Sequence, residues 1–341
     1  MIRMGRPDEE RLMTWSRRID DRSWDDWLIH QDEATIFHSR LWARVLKAAF
    51  PKLGDRSLCR GINDPSAVFP LYAWTRAAGL VTHLHSSFPF LYGGPVPWPE
   101  GSPHQWIDLI PGRGVSAWIL SNPFAGPSRK SPEPVPAGWT LSWDRTHILT
   151  LPETVDEFWD GILTTQKRND IRRLTRKGVE IDSSTEPKDI ETVYQLYLQR
   201  VRSWKERPGM IYPREYFSAM AAVGGESIRL YRVRFEGRLI GGTFVARWGG
   251  KVHYIAGYFD HEARKLRPNV LVQNRIIHDA IQDGFRIYDM LPSAGLRNVE
   301  VFKESFGSKP VPFWKLEKEG SLQRWARGIR KFGRRAPEKK D

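Results

Sequence analysis

Residues 227–259 read SIRLYRVRF, EG, RLIGGTFVARW, GG, KVHYIAGYF: three strand-like runs separated by the two-residue turn signals Glu236-Gly237 and Gly249-Gly250. Strands joined this tightly lie antiparallel, because a parallel neighbour needs a crossover of a dozen or more residues. A doubly wound parallel sheet is thereby excluded. Downstream, RPNVLVQNRIIHDAIQDG (267–284) predicts a helix from Val270 to Asp283 that ends on Gly284, with Pro268 suited to its first position. FRIYDML (285–291) then reads as a buried strand, Leu296 to Phe306 as a helix, and VPFWKLE (311–317) as a last strand.

Upstream of the meander, VDEFWDGIL (155–163) and TTQKRNDIRRLTRKG (164–178) predict helices, the second closed by Gly178. A short strand at 179–182 precedes a long helix marked by Ile190, Val193, Tyr194 and Tyr197, and another helix covers Tyr216 to Met220. The first half shows the same grammar. Phe37, Leu41, Val45 and Ala48 recur at helical spacing in FHSRLWARVLKAAFP, and Pro51 stops the run. SLCRGI and AVFPLYAW read as a hairpin about Asn63–Ser66, and further strands fall at 114–120 and 139–151. AVFPLYAW and GGTFVARW hold equivalent places in the two halves, a weak internal duplication. We expect an α/β protein of the α+β kind: a loose lead-in (1–25), a first domain (26–150, with the strand at 311–320 able to return to it), a second domain (151–315) and a basic tail (316–341).

The 341 residues carry 53 Lys and Arg against 40 Asp and Glu, a net charge of +13 that favours polyanionic partners: nucleic acid, acidic lipid head groups or phosphorylated precursors. One cysteine, Cys59, excludes an intrachain disulfide and a cysteine-based zinc cluster, and its setting is that of a small buried hydrophobe. No metal-ligand set, Walker loop, HExxH or nucleophile elbow is present. With no apolar run of membrane-spanning length and no apolar leader in MIRMGRPDEERL, the expected location is the cytoplasm.

Taken together, SSFPFLYGG, KRNDIRRLTRKGVEI, the meander ending in YIAGYF, RPNVLVQNRIIHDAIQDGFRIYDM and GLRNVEVFKESFG resemble the Fem-type (FemABX-like) branch of the GNAT superfamily over about residues 36–316. That branch includes aminoacyltransferases of peptidoglycan and cell-wall biogenesis, and acetyltransferases of polysaccharide loci. The resemblance implies two tandem GNAT-like domains, a degenerate first one on the acceptor side and a second carrying the donor site. It implies that Phe302 and Lys303 sit beside the transferred group, where Lys303 supports the developing oxyanion or the donor's terminal ribose and phosphate. The donor is aminoacyl-tRNA or acyl-CoA, a substrate and not a tightly held cofactor. At the place where CoA-using relatives carry a glycine-rich pyrophosphate loop, HEARKLRPNVLVQN has neither glycine, which favours charged tRNA.

Several other residues have two readings. Arg168, Arg172 and Arg176 stack at i, i+4 and i+8, either as a solvated face or, for Arg168 and Arg172, as contacts to phosphate. Strand alternation puts Tyr254 and Tyr258 on one face, lining an acceptor groove or filling the core, and His253 on the other with no recognisable partner. Asn269 shapes its loop or meets the donor. Asp289 orients the incoming amine or pairs with an arginine such as Arg297. In the tail, Leu322, Trp325, Ile329 and Phe332 form an apolar stripe among basic residues that lies on an anionic membrane or docks on the first domain. The leading function is transfer of an aminoacyl group to an amine of a phosphorylated or lipid-linked envelope precursor. The others are an acyl-CoA acetyltransferase acting on an amino sugar, and a catalytically inactive protein that binds tRNA or a membrane surface.

Overall fold

The computed structural model describes residues 15–18, 20–61, 63–76, 81–87, 91–97, 104–110, 115–124, 134–203 and 210–320. The stripe expected at Leu322, Trp325, Ile329 and Phe332 lies outside them, as do residues 1–14 of the lead-in and 88–90 of SSFPFLYGG. In chain order the elements begin with β1 (Trp15–Ser16), α1 (Asp21–Leu28), α2 (Arg40–Ala49), β2 (Gly54–Asp55), β3 (Leu58–Arg60), β4 (Ala67–Phe69) and β5 (Tyr72–Arg76). Then come β6 (Val81–His85), α3 (His104–Ile107), β7 (Val115–Leu120), β8 (Trp139–Thr150), a π-helical turn (Glu157–Ile162), α4 (Thr165–Thr175), β9 (Val179–Ser184) and α5 (Pro187–Arg202). The remainder is α6 (Arg214–Gly224), β10 (Ile228–Phe235), β11 (Arg238–Trp248), β12 (Lys251–Phe259), α7 (Pro268–Gln282), β13 (Ile287–Asp289), α8 (Arg297–Glu304) and β14 (Lys309–Lys318).

Two compact units divide the described chain. The first holds the residues up to His38, Lys52–Asp144 and those from Phe313 on; the second holds Ser39–Pro51 and Arg145–Pro312. In the first unit a sheet runs in the order β2-β5-β6-β7-β14, with β6 and β7 parallel and the other neighbours antiparallel. Its core gathers Phe69, Trp106, Ile119, Trp314 and Leu316, with Trp106 stacked on Trp314 at 6.4 Å. Cys59, on β3, is buried, its thiol donating to the Gly61 carbonyl at 2.9 Å and pushed up to about 11 by burial, as suits a structural thiol.

The lead-in departs from expectation. Residues 21–25 are not loose but belong to α1, capped by Asp20, whose carboxylate accepts from the Ser23 N–H at 2.7 Å. Trp24 and Leu28, four apart, supply the buried stripe, and the Trp24 indole donates to the His38 carbonyl at 2.9 Å. The helix at 40–49 also departs, since it belongs to the second unit and not to a 26–150 domain. Ser39 caps it, and its apolar face meets α6, with Trp42 edge-on to Tyr216 at 6.4 Å and Phe50 at 5.9 Å from the same ring.

In the second unit the order is β8-β13-β12-β11-β10-β9, with only β12 and β13 parallel. Both meander turns are as read. Glu236 and Gly237 have φ of 50° and 74°, Gly249 and Gly250 of 54° and 74°, the positive pairs that tight hairpins require. Against one face of this sheet pack α4, α7 and α8 through Leu149, Val245, Val252, Ile276, Tyr288 and Phe306. Against the other pack α5 and α6, where Tyr197, Phe217, Phe244 and Tyr258 form a ring cluster.

A β-bulge corrects the alternation in β12. Phe244 pairs with Ala256 while Val245 pairs with Tyr254, so Ile255 is one residue too many and the period of two breaks there. Tyr254 therefore packs on the α7 side, and Tyr258 packs with Tyr197 at 5.0 Å on the opposite face. They do not share a face.

At the end of α8, Gly307 has φ 86°, and a Cβ there would lie 2.2 Å from Ile162 Cγ2. We expect Gly307→Ala to destabilise the fold by about 2–4 kcal/mol, read as a lowered midpoint in denaturant titration, because it adds both backbone strain and overpacking.

Candidate active site

The parallel ladder between β12 and β13 has three pairs, ending at His253 and Asp289, while β12 runs on to Phe259. Where these strands part, a loop leads from β13 into α8. Its first residue after Met290, Leu291, has φ 55°, an uncommon state for a side chain with a γ-branch, and Ala294 follows at 50°.

Both ends of Leu291 are gripped. Its N–H donates to Asp289 Oδ1 at 3.0 Å, and its carbonyl accepts from Lys303 Nζ, which also donates to the Pro292 carbonyl at 3.2 Å. Asp289 is fully buried, and it accepts further from Thr146 Oγ1 at 2.6 Å and from His253 Nδ1 at 3.0 Å. The sequence offered Arg297 as a partner for Asp289 and none for His253. In fact each has the other, because the parallel register sets His253 opposite Asp289, while Arg297 pairs with Glu300 and Glu304 on its own helix. Lys303, 4% exposed, is a clamp on the loop's carbonyls and not a surface lysine.

Behind the clamp, Phe302 meets Phe306 edge-on at 5.4 Å, and Lys167 of α4 lies 4.7 Å from the Phe306 ring and 5.9 Å from Phe302. Burial, with Arg267 as a second cause, holds the Lys167 ammonium below the ordinary lysine range. Arg267 itself donates to Asp170 at 2.7 Å, which with Arg173 keeps that carboxyl below the usual range. Lys177 donates to the Lys265 carbonyl at 2.9 Å. These contacts close the segment leading into α7. At the helix start Arg267 sits at φ 46°, Pro268 has no N–H, and the Val270 N–H turns back onto the Arg267 carbonyl at 2.9 Å. Asn269 is half-buried beside them.

The arginine stripe divides. Arg168 turns inward, donating to the carbonyls of Trp159, Asp160 and Leu163 at 2.9, 3.1 and 3.1 Å, where it satisfies the π-helical turn. Arg172 stays exposed, its guanidinium 5.3 Å from the Trp159 ring. Tyr254 is half-buried in the core cluster, and burial pushes its hydroxyl up to about 12.

Of the sequence candidates, the structure brings together Asp289, Phe302 and Lys303, and beside them it sets His253, Thr146, His147 and Lys167, which the sequence did not single out. A signal for Lys167 was present, since it shares an i, i+4, i+7 stripe with Ile171 and Leu174, all buried. His147 lies fully buried 3.5 Å from Glu304. Burial first, then Lys303, holds its imidazole below the ordinary 6.5 against the pull of Glu304. Among the described residues, no group of three or more His, Cys, Asp or Glu is placed to hold a metal ion.

Residues 165–304, which contain Lys167, His253, Asp289, Phe302 and Lys303 of this site, match the family model for an acetyltransferase (GNAT) domain. This segment is a GNAT domain. The fold as a whole is the tandem GNAT arrangement, and similar solved structures extend over nearly the entire chain. FemX is 12% identical, with 89% of this chain and 97% of that one covered at a TM-score of 0.63. The C-terminal domain of a protein named as a lysylphosphatidylglycerol synthetase from Agrobacterium fabrum is 12% identical, with 90% and 93% covered at 0.57. A tandem GNAT protein from the clavulanic acid biosynthesis pathway is 13% identical, with 90% and 98% covered at 0.52. No curated protein matches the chain in sequence.

Two outcomes follow for the GNAT domain. Asp289→Asn keeps the shape but must turn an amide NH2 toward one of three donors, so it should cost about 1–3 kcal/mol in a denaturation titration. His147, depressed in the fold and ordinary when unfolded, contributes stability that is complete above about 6.5 and is lost as pH falls through its folded value. The wild-type chain should therefore lose stability between pH 7.5 and 5 more steeply than His147→Gln, measured by thermal denaturation across that range.

Proposed function

We propose that this chain is an acyltransferase that moves an aminoacyl group from charged tRNA to an amine of a cell-envelope precursor, by direct attack of the amine on the ester carbonyl. The observation that carries the choice of donor is the start of α7. A pyrophosphate at a helix start needs open backbone N–H groups and close approach. Here Pro268 lacks the N–H, that of Val270 is spent on Arg267, and Arg267 is tied to Asp170. The net charge of +13 suits a large polyanion. Similarity in fold to FemX and to the lysylphosphatidylglycerol synthetase domain, one named for an aminoacylated product, supports the same reading.

In this mechanism positioning supplies much of the rate, since the neutral amine must meet the carbonyl in line. Lys303, its ammonium fixed by two loop carbonyls, is a preorganised positive charge beside the reacting centre. Phe302 walls the donor group. Asp289 acts through the loop it holds, Tyr254 serves the acceptor side and Asn269 the donor side, and Arg168 shapes the turn whose Trp159 ring lies beside the exposed Arg172 that meets phosphate. The protein works in the cytoplasm; no helix among the described residues is long and apolar enough to cross a membrane.

Incubating the protein with envelope extract and a panel of labelled charged tRNAs and acyl-CoAs tests the reading. Label should pass from charged tRNA, and transfer from acyl-CoA alone would sink the choice of donor. Lys303→Ala should lower kcat on the order of 10²-fold. Arg172→Ala should weaken tRNA binding without sequence preference and reduce the slope of log K against log salt by about 1.

A further inference from the structure

The loop between β13 and α8 contains a group that this mechanism leaves unused. Ser293 is 5% exposed, and its Oγ has no hydrogen-bond partner in the structure, although its carbonyl is bonded by the Leu296 N–H at 3.0 Å. Leaving a buried hydroxyl unpaired is costly, and such groups are few in native proteins.

The backbone that carries it is neither slack nor relaxed. Leu291 and Ala294 flank it at φ of 55° and 50°, strained states for residues with a Cβ. They persist because Asp289 holds the Leu291 N–H and Lys303 holds the carbonyls of Leu291 and Pro292. Two buried charges thus fix a strained segment so that an unsatisfied hydroxyl is presented one residue past the Lys303 clamp. As a device for stability this arrangement makes no sense, for it combines strain with an unmet polar group. As a site awaiting an oxygen atom of a substrate it does.

We propose that Ser293 is a catalytic residue whose hydroxyl donates a hydrogen bond to the carbonyl oxygen of the transferring acyl group. The inference rests on the acyltransferase reading above. When the amine attacks, the N–C bond forms and the carbonyl π pair moves onto that oxygen, where the Ser293 O–H and the Lys303 charge meet it. Collapse restores the carbonyl and breaks the bond to the ribose oxygen of the donor, which leaves with the proton the amine gives up. Ser293 makes no covalent bond. Because the loop is clamped beforehand, the hydroxyl is in place before charge develops.

Ser293→Ala tests this in the full-length protein by two measurements, label transfer and thermal denaturation. With the donor that the wild-type chain uses, kcat should fall on the order of 10²-fold with little change in the acceptor KM. The melting temperature should stay level or rise, since the variant removes a hydroxyl that the fold does not satisfy. A kcat equal to wild type overturns the proposal, as does a fall in melting temperature of several degrees, which would mean that the hydroxyl is committed to the fold. If the wild-type chain transfers from neither tRNA nor acyl-CoA, the acyltransferase reading fails separately. Even then the melting comparison still decides whether the Ser293 hydroxyl is unpaired.

Discussion

One buried carboxylate organises the second unit. Asp289 is out of contact with solvent, and a charge so placed survives only when its lone pairs are filled. Thr146 from β8, His253 from β12 and the N–H of Leu291 fill them, so a single group ties two neighbouring strands and the loop at the point where β12 and β13 part. The loop then hands the constraint on. Lys303 grips the other side of the Leu291 residue, which fixes α8; Phe302 on α8 and Phe306 in the turn after it receive Lys167, which fixes α4; Asp170 on α4 receives Arg267, which fixes the start of α7. The site is a consequence of that succession of contacts.

The basic character of the chain has two parts that composition does not separate. On α4 and its end, Lys167, Arg168 and Lys177 are spent on rings and carbonyls of the same unit, where they replace water as partners of groups that would otherwise be unsatisfied. Arg172 and Arg176 stay exposed, and it is charges of this kind, with the net +13, that set the field a polyanion meets. A run of arginines is therefore a poor guide to ligand contacts until the direction of each side chain is known.

The sheet shows a similar division. Turn chemistry is local: Glu236-Gly237 and Gly249-Gly250 could be read because positive φ at both turn residues is a property of the residues themselves. The bulge at Ile255 is not local, since it arises from how β11 and β12 register, and it moved Tyr254 and Tyr258 to opposite faces. The same holds for α1, whose Trp24 indole finds its acceptor at the His38 carbonyl, 14 residues further on.

By itself, then, the sequence determined the class of fold, the antiparallel meander, and the strand, loop and helix from Asp289 to Phe306. Each of these follows from periodicity, turn residues or a recognisable combination of motifs within a few tens of residues. Tertiary structure alone decided that Asp289 belongs with His253 and Thr146, that Lys167 is buried on two rings, that Arg168 faces inward, and that Ser293 is left with an unmet hydroxyl. Thr146 and Asp289 stand 143 residues apart, and His253 and Asp289 stand 36 apart. Pairings over such separations are fixed by strand register and burial, which no local pattern encodes.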